Sequence, residues 1–206
     1  MRTAARAVLT SLATVAAGGA LAQPPPQTEA DDYTRYELRE PESARFRILY
    51  EVTATTPGAA FYFNPIRKGS QASDEAVYDR MSGKALGFEI VSGAEARRVG
   101  HPEADPDTSY IKVALPRPVP KDGEVRLLID KTYQDPKSYF RDGDRIVFSR
   151  SLGIKRNAVV LPTGYELVSC NVPSQVLAEA DGRLLVSFMN NFPSEAPLVL
   201  KARRLP

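Results

Sequence analysis

His101, Glu103, Asp105 and Asp107 occupy alternate positions in one short stretch, and three carboxylates so spaced are the material of an oxygen-ligand cation site. On an extended backbone all four side chains would point one way. Pro102 and Pro106 break such an extension, and the glycine and terminal glutamate of a helix-loop-helix calcium loop are missing. A solvated acidic loop without metal is expected. Glu51, Asp130 and Glu166 lie in strand-like runs and are the acids from which a glycoside hydrolase would be assembled, although outward-facing charge accounts for them equally well. His101 and Cys170 are the only residues of their kinds, and tryptophan is absent. Zinc hydrolysis, thiol catalysis and histidine-driven acyl transfer draw on more such groups. The sequence therefore points to no catalytic residue, no metal and no cofactor.

Two short matches dissolve on inspection. Ser109-Tyr110-Ile111-Lys112 spells the Ser-x-x-Lys of penicillin-binding enzymes, whose serine and lysine meet one helical turn apart. In an alternating strand the same spacing turns the two side chains to opposite faces. Leu161-Pro162-Thr163-Gly164 lacks one residue of a cell-wall sorting signal and reads as a turn, with Pro162 ending one strand and Gly164 permitting the bend.

The aromatic residues suggest binding. In Phe61-Tyr62-Phe63-Asn64-Pro65-Ile66 alternation is expected to bury Phe61 and Phe63 and to leave Tyr62 outward, beside Arg67 and Lys68. Tyr133, Tyr139 and Phe140 form a second group around Pro136. Exposed aromatics with arginine nearby anchor binding surfaces and also suit sugar rings; plugs at the ends of a sandwich are the competing role. Tyr62, Arg67, Tyr133, Tyr139 and Phe140 are the candidate binding residues.

The elements that must carry these groups are strands. Phe46, Ile48, Tyr50, Val52 and Ala54 alternate with Arg45, Arg47, Glu51 and Thr53. The same period of two runs through Ile111–Leu115, Val125–Ile129, Ile146–Phe148, Leu184–Phe188 and Leu198–Ala202. Asp122-Gly123, Asp142-Gly143 and Asp181-Gly182 are hairpin signals between such runs. The expected fold is all-β, an antiparallel sandwich of roughly ten strands, with at most one short helix, over Ser73–Met81. Cys170 lies in an apolar run and is expected to be a small buried hydrophobe.

Residues 1–22 form a separate block. Arg2 and Arg6 precede an uncharged stretch from Ala7 to Ala22, which closes on Ala20-Leu21-Ala22. This is the order of a secretory signal, and sixteen residues rise only about 24 Å as a helix, short of a membrane's roughly 30 Å core. The protein is expected to be exported, to the periplasm or exterior of a bacterial cell. The leader 23–32 is proline-rich, and residues 33–206 are expected to form a single β-sandwich domain. Loss of Arg2 and Arg6 leaves 25 basic and 25 acidic residues, a balance that argues against nucleic acid or an anionic membrane as partner. No later stretch is long and apolar enough to span a bilayer.

Two passages carry a family resemblance. Lys112-Val113-Ala114-Leu115-Pro116, followed by Val119-Pro120-Lys121-Asp122-Gly123-Glu124-Val125-Arg126-Leu127-Leu128-Ile129, is similar to a strand–proline–turn–strand passage in the N-terminal β-sandwich of the aminopeptidase N family of zinc peptidases. Asn157 to Ser169, through Leu161-Pro162-Thr163-Gly164-Tyr165, resembles a later hairpin of that domain; ribophorin-type luminal domains carry comparable passages. The resemblance covers about a third of the chain after residue 22. It implies a non-catalytic sandwich, because the family's zinc motif belongs to a following domain and this chain has one histidine. The function so expected is an exported, non-enzymatic binding or structural module whose partner is a protein or glycan of the cell envelope. A carbohydrate-binding module or a carboxylate-based glycoside hydrolase is the alternative.

Overall fold

The alternating runs do form strands. A computed structural model describes residues 32–206; the signal block 1–22 and the leader up to residue 31 lie outside the described residues. Asp32, assigned above to the leader, is already tied down: it is buried, and its carboxylate accepts the Thr53 amide at 3.1 Å. The chain runs β1 (Tyr33–Leu38), β2 (Arg45–Ala54), β3 (Phe61–Pro65), β4 (Gln71–Asp79), β5 (Phe88–Ser92), α1 (Gly93–Arg98), β6 (Ser109–Ala114) and β7 (Val125–Gln134). It continues through β8 (Tyr139–Asp142), β9 (Arg145–Leu152), β10 (Arg156–Val160), β11 (Tyr165–Cys170), β12 (Gln175–Ala178), β13 (Leu184–Met189) and β14 (Ala196–Arg204).

These strands make three sheets. A central sheet of seven has the order β12-β13-β10-β1-β2-β7-β4, and all its pairs are antiparallel except β1 with β10. A four-stranded sheet, β11-β14-β9-β8, packs on the inner face of one half through Tyr36, Phe46, Ile48 and Tyr133 against Phe148, Leu198 and Leu200. A three-stranded sheet, β3-β6-β5, packs on the other half, where Val52, Leu127 and Ile129 meet Ile111 and Val113. Phe148 lies 5.2 Å edge-on to Phe46 and 5.4 Å from Tyr36, within the range of favourable ring contacts. Burying one such ring stabilises the fold by about 1.5–3 kcal/mol. The outer face of the central sheet carries ion pairs, with Arg47 bidentate on Asp130 and Arg35 bridging Glu37 and Glu179, beside a small apolar cluster of Ala158, Val160 and Leu185.

The structure corrects several local expectations. Ser73–Met81 is not helical; its residues lie largely in β4, paired with β7 from Gln71↔Gln134 to Asp79↔Leu127. A bulge between Ser73 and Ala76, with Asp74 at φ +57°, shifts the phase, so that Ala72 and Val77 both face the interior although they are an odd number of positions apart. That broken alternation is what hid the strand. The helix is α1 instead, capped by Ser92 Oγ, which accepts the Glu95 amide. Asp142-Gly143 and Asp181-Gly182 turn true hairpins. Asp122-Gly123 does not, because β6 and β7 belong to different sheets. Nor is the 157–169 passage a hairpin. Pro162-Thr163-Gly164 carries the chain from β10 in the central sheet to β11 in the four-stranded one, with Gly164 at φ +77°.

Candidate functional site

The two covering sheets part over the middle of the central sheet and leave a cleft of about 390 Å³. Strand register builds its floor. Tyr36 on β1 faces Ile48 on β2, and Ile48 faces Lys131 on β7; Thr34 faces Tyr50 in the next row. A period of two therefore sends Thr34, Tyr36, Ile48, Tyr50, Lys131 and Tyr133 inward together. The walls come from Asn64, Pro65 and Arg67 at the end of β3, and from Arg150, Leu152, Gly153 and Ile154 at the end of β9, with Glu195 at the rim. Tyr50 and Ile66 touch both hydrophobic cores, so the cleft sits at their junction.

Three cations converge there. Lys131 is 4% exposed; its Nζ donates to Asn64 Oδ1 and lies 4.9 Å from the centre of the Tyr133 ring. Arg150 is 8% exposed and is held 5.5 Å from both the Phe46 and Tyr133 rings. Its Nη1 donates to Asp135 Oδ2 and Ser138 Oγ, each at 3.3 Å. Arg67 is exposed; its amide donates to the Tyr133 hydroxyl at 3.2 Å and its Nη1 to the Ser151 carbonyl at 3.2 Å. Glu75, in the bulge of β4 opposite Lys131, has a buried Oε1 without a hydrogen-bond partner.

Burial governs the electrostatics. Loss of water, reinforced by the Arg150 charge and opposed by Glu75, lowers Lys131 from its ordinary 10.5 to about 7. Burial also raises the hydroxyls of Tyr36, Tyr50 and Tyr133, which stay protonated donors at neutral pH. Tyr62 hydrogen-bonds Tyr50 and adds to its shift. For Asp135, burial alone would raise the carboxyl, but hydrogen bonds from Ser138 and Ser70 with the Arg150 charge hold it below the ordinary value.

The sequence candidates divide. Arg67 and Tyr133 line the cleft, and Tyr62 reaches it through Tyr50. Tyr139 is fully buried, its hydroxyl donating to the Arg39 carbonyl at 2.8 Å, and Phe140 is exposed beside it on β8; neither lines the cleft. The expected phase of β3 is reversed. Tyr62 pairs with Val113 and Asn64 with Ile111, both inward, so Tyr62 packs on the core while Phe61 is exposed under Lys112 Nζ at 4.4 Å. Phe63 stacks on His101 at 5.3 Å, and Tyr110 meets that imidazole edge-on at 5.4 Å. The acidic loop is a turn in which Asp105 accepts from the Asp107 amide and from Thr108, and pairs with Lys68 at 3.0 Å. Among the described residues, no group of three or more His, Cys, Asp or Glu side chains is gathered as a metal would need. Glu51, Asp130 and Glu166 are each engaged by a separate arginine: Arg80, Arg47 and Arg203. Cys170 is a free thiol, partly buried against the larger core.

Lys131 and Arg150 were not among the sequence candidates. The signal was present: each continues the inward phase of its run, Lys131 after Val125, Leu127 and Ile129, and Arg150 after Ile146 and Phe148. A cation in an apolar phase is the mark of a polar interior site.

The described residues define an all-β protein of packed, mainly antiparallel sheets. Among solved structures it is similar to the M1 zinc metallopeptidase from Deinococcus radiodurans, at TM-score 0.52 and 10% identity. A mutant of that enzyme bound to a Tyr-Ser-Ala substrate aligns at TM-score 0.51 and 11% identity. An aminopeptidase N family protein from Idiomarina loihiensis aligns at 0.49 and 7% identity. Each match covers 84% of this chain but only 41%, 41% and 29% of those chains; against the Deinococcus structures this chain spans less than half the length, the extent expected of a likeness to one part of a larger peptidase. At such identities the likeness is one of fold. No protein-family model and no curated protein sequence matches the chain. Among the described residues, no helix is long and apolar enough to cross a membrane.

Proposed function

We propose that this is an exported, non-enzymatic binding module that engages a protein or glycan of the bacterial cell envelope, in the periplasm or outside the cell. The carrying observation is the cleft at the junction of the three sheets. It gathers buried hydrogen-bond donors from five strands in an open concavity, the usual anatomy of a ligand site. Of the five candidate binding residues, Arg67 and Tyr133 line it and Tyr62 hydrogen-bonds Tyr50 in its floor, which supports this reading. The separate arginine partners of Glu51, Asp130 and Glu166 favour binding over carboxylate chemistry.

Gly153 provides the test. It lines the cleft, its φ is not positive, and a Cβ there would meet Glu195 only at ordinary contact distances of 3.8 and 3.9 Å. Gly153→Trp should therefore fold and obstruct the entrance. Native mass spectrometry after incubation with envelope extract should show a component retained by the wild type and lost from the variant. Retention of nothing by the wild type, together with turnover in hydrolase screens, would overturn the proposal. Export is tested separately, by finding the protein in the periplasmic or culture fraction without residues 1–22.

A further inference from the structure

We propose that the group entering this cleft is a monoanionic carboxylate on a short apolar or aromatic body, seated between Lys131, Arg150 and Arg67. The inference rests on the binding role given above and specifies its chemistry. Three observations lead to it. Cations from three separate segments face one cavity: β7, the end of β9, and the turn after β3. The cavity is rich in donors, and of its acceptors Asn64 Oδ1 is already occupied by Lys131 and the Ser151 carbonyl by Arg67, leaving the Glu195 carboxylate at the rim. Thr34, 2% exposed and lining the floor, has a hydroxyl with no hydrogen-bond partner, a cost that a ligand acceptor would remove. The remaining lining, Tyr36, Ile48, Tyr50, Leu152 and Ile154, is apolar or aromatic and suits a body of a few carbons.

Charge selects one negative charge over two. Asp135 sits behind Arg150, Glu75 faces Lys131 from β4, and Glu195 stands at the rim, so with Lys131 neutral two cations face three carboxylates. Proton uptake by Lys131 on binding adds one positive charge, which offsets one incoming negative charge and leaves a second without a counterpart. The tyrosines around the site, Tyr36, Tyr50, Tyr62 and Tyr133, contribute hydroxyl dipoles. Binding should therefore be linked to protonation of Lys131. Above pH about 7, where the empty cleft favours the neutral amine, each bound carboxylate brings a proton with it, and affinity falls by up to about tenfold per pH unit.

The experiment is calorimetric titration of the protein with phenylacetate, phenylacetamide and phenyl phosphate at pH 6.5 and 8.5, in buffers of different ionisation heat. Phenylacetate is expected to bind at least about tenfold more tightly than the neutral amide or the dianion, with proton uptake at the higher pH. Lys131→Met should abolish the proton uptake. Arg67→Gln, at an exposed position that does not threaten folding, should weaken binding several-fold. Equal affinity for the amide, preference for the dianion, binding indifferent to both substitutions, or no heat from phenylacetate up to about 10 mM would each overturn the inference. A neutral envelope component retained by wild type and blocked by Gly153→Trp would end the carboxylate assignment and leave the binding role standing; enzymatic turnover would end the binding role itself.

Discussion

Replacing Lys131 with methionine should change how stability depends on pH more than it changes stability at any one pH. Lys131 titrates near 7 in the folded protein and near 10.5 once unfolded. Between those values the unfolded chain holds a proton that the folded chain does not, so folding becomes more favourable as pH rises. The slope is about 1.4 kcal/mol per unit, or ~2–3 kcal/mol between pH about 7.5 and 9.5. Below about 7 both states carry the charge and the slope vanishes. Above about 10 the trend reverses, because the raised tyrosines Tyr36, Tyr50 and Tyr133 keep protons that the unfolded chain releases. Lys131→Met also strips Asn64 of its donor and leaves Glu75 without its facing cation. Those losses shift the whole curve but, above pH 7, not its slope. Urea unfolding of both proteins across this range gives the comparison. The wild type should gain stability toward pH 9.5 and the variant should stay flat; parallel curves would refute a desolvated lysine. Should the variant not fold, the Cε shift of Lys131 followed by NMR in the wild type supplies the same titration directly.

Three further outcomes are expected. Gly93→Ala would place a Cβ 1.8 Å from the Asp105 carbonyl oxygen, so α1 and the 101–108 loop must separate, costing about 1–3 kcal/mol in a denaturation midpoint; an unchanged midpoint contradicts that packing. Asp135, with its lowered carboxyl, contributes stability that is present above its unfolded value near 4 and lost as pH falls through its folded value. Asp135→Asn should flatten the acid limb of the wild-type curve and cost about 1–3 kcal/mol at pH 7 by weakening the Arg150 pair; an acid limb identical to wild type would exclude it. Gly164→Ala, at φ +77°, should cost about 1 kcal/mol without altering binding in the cleft; a stabilised variant would contradict the turn geometry.

The sheets were legible because most of their strands bury one face. Phe46 to Ala54 and Val125 to Ile129 alternate cleanly, and these runs are β2 and β7. Edge strands were not. Every residue of β12 is exposed, and β5 leaves Phe88 and Ile90 largely uncovered, so neither shows the contrast on which alternation depends. Nor can an Asp-Gly pair reveal whether the next strand returns to its neighbour or crosses to another sheet, as the chain does between β6 and β7. The cleft was legible in part. Arg67 stood out beside Tyr62, and Tyr133 in a separate aromatic group, but Lys131 and Arg150 are 64 and 83 residues further on from Arg67, and only register brings them all together. Phe61 and Phe63 misled because hydrophobicity was given precedence over pairing; the buried phase of β3 is set by Val113 and Ile111 across the strand.

The parallel pairing of β1 with β10 has a kinetic consequence. β1 separates a triplet from the first two-thirds of the chain, β2, β7 and β4, from a triplet assembled near its end, β10, β13 and β12. Its second neighbour follows by more than a hundred residues, so a polypeptide emerging amino end first leaves β1 half-paired until the segment around Arg156–Val160 arrives. Contacts of such long separation close slowly. The two halves of the central sheet are therefore joined only when most of the chain has been made.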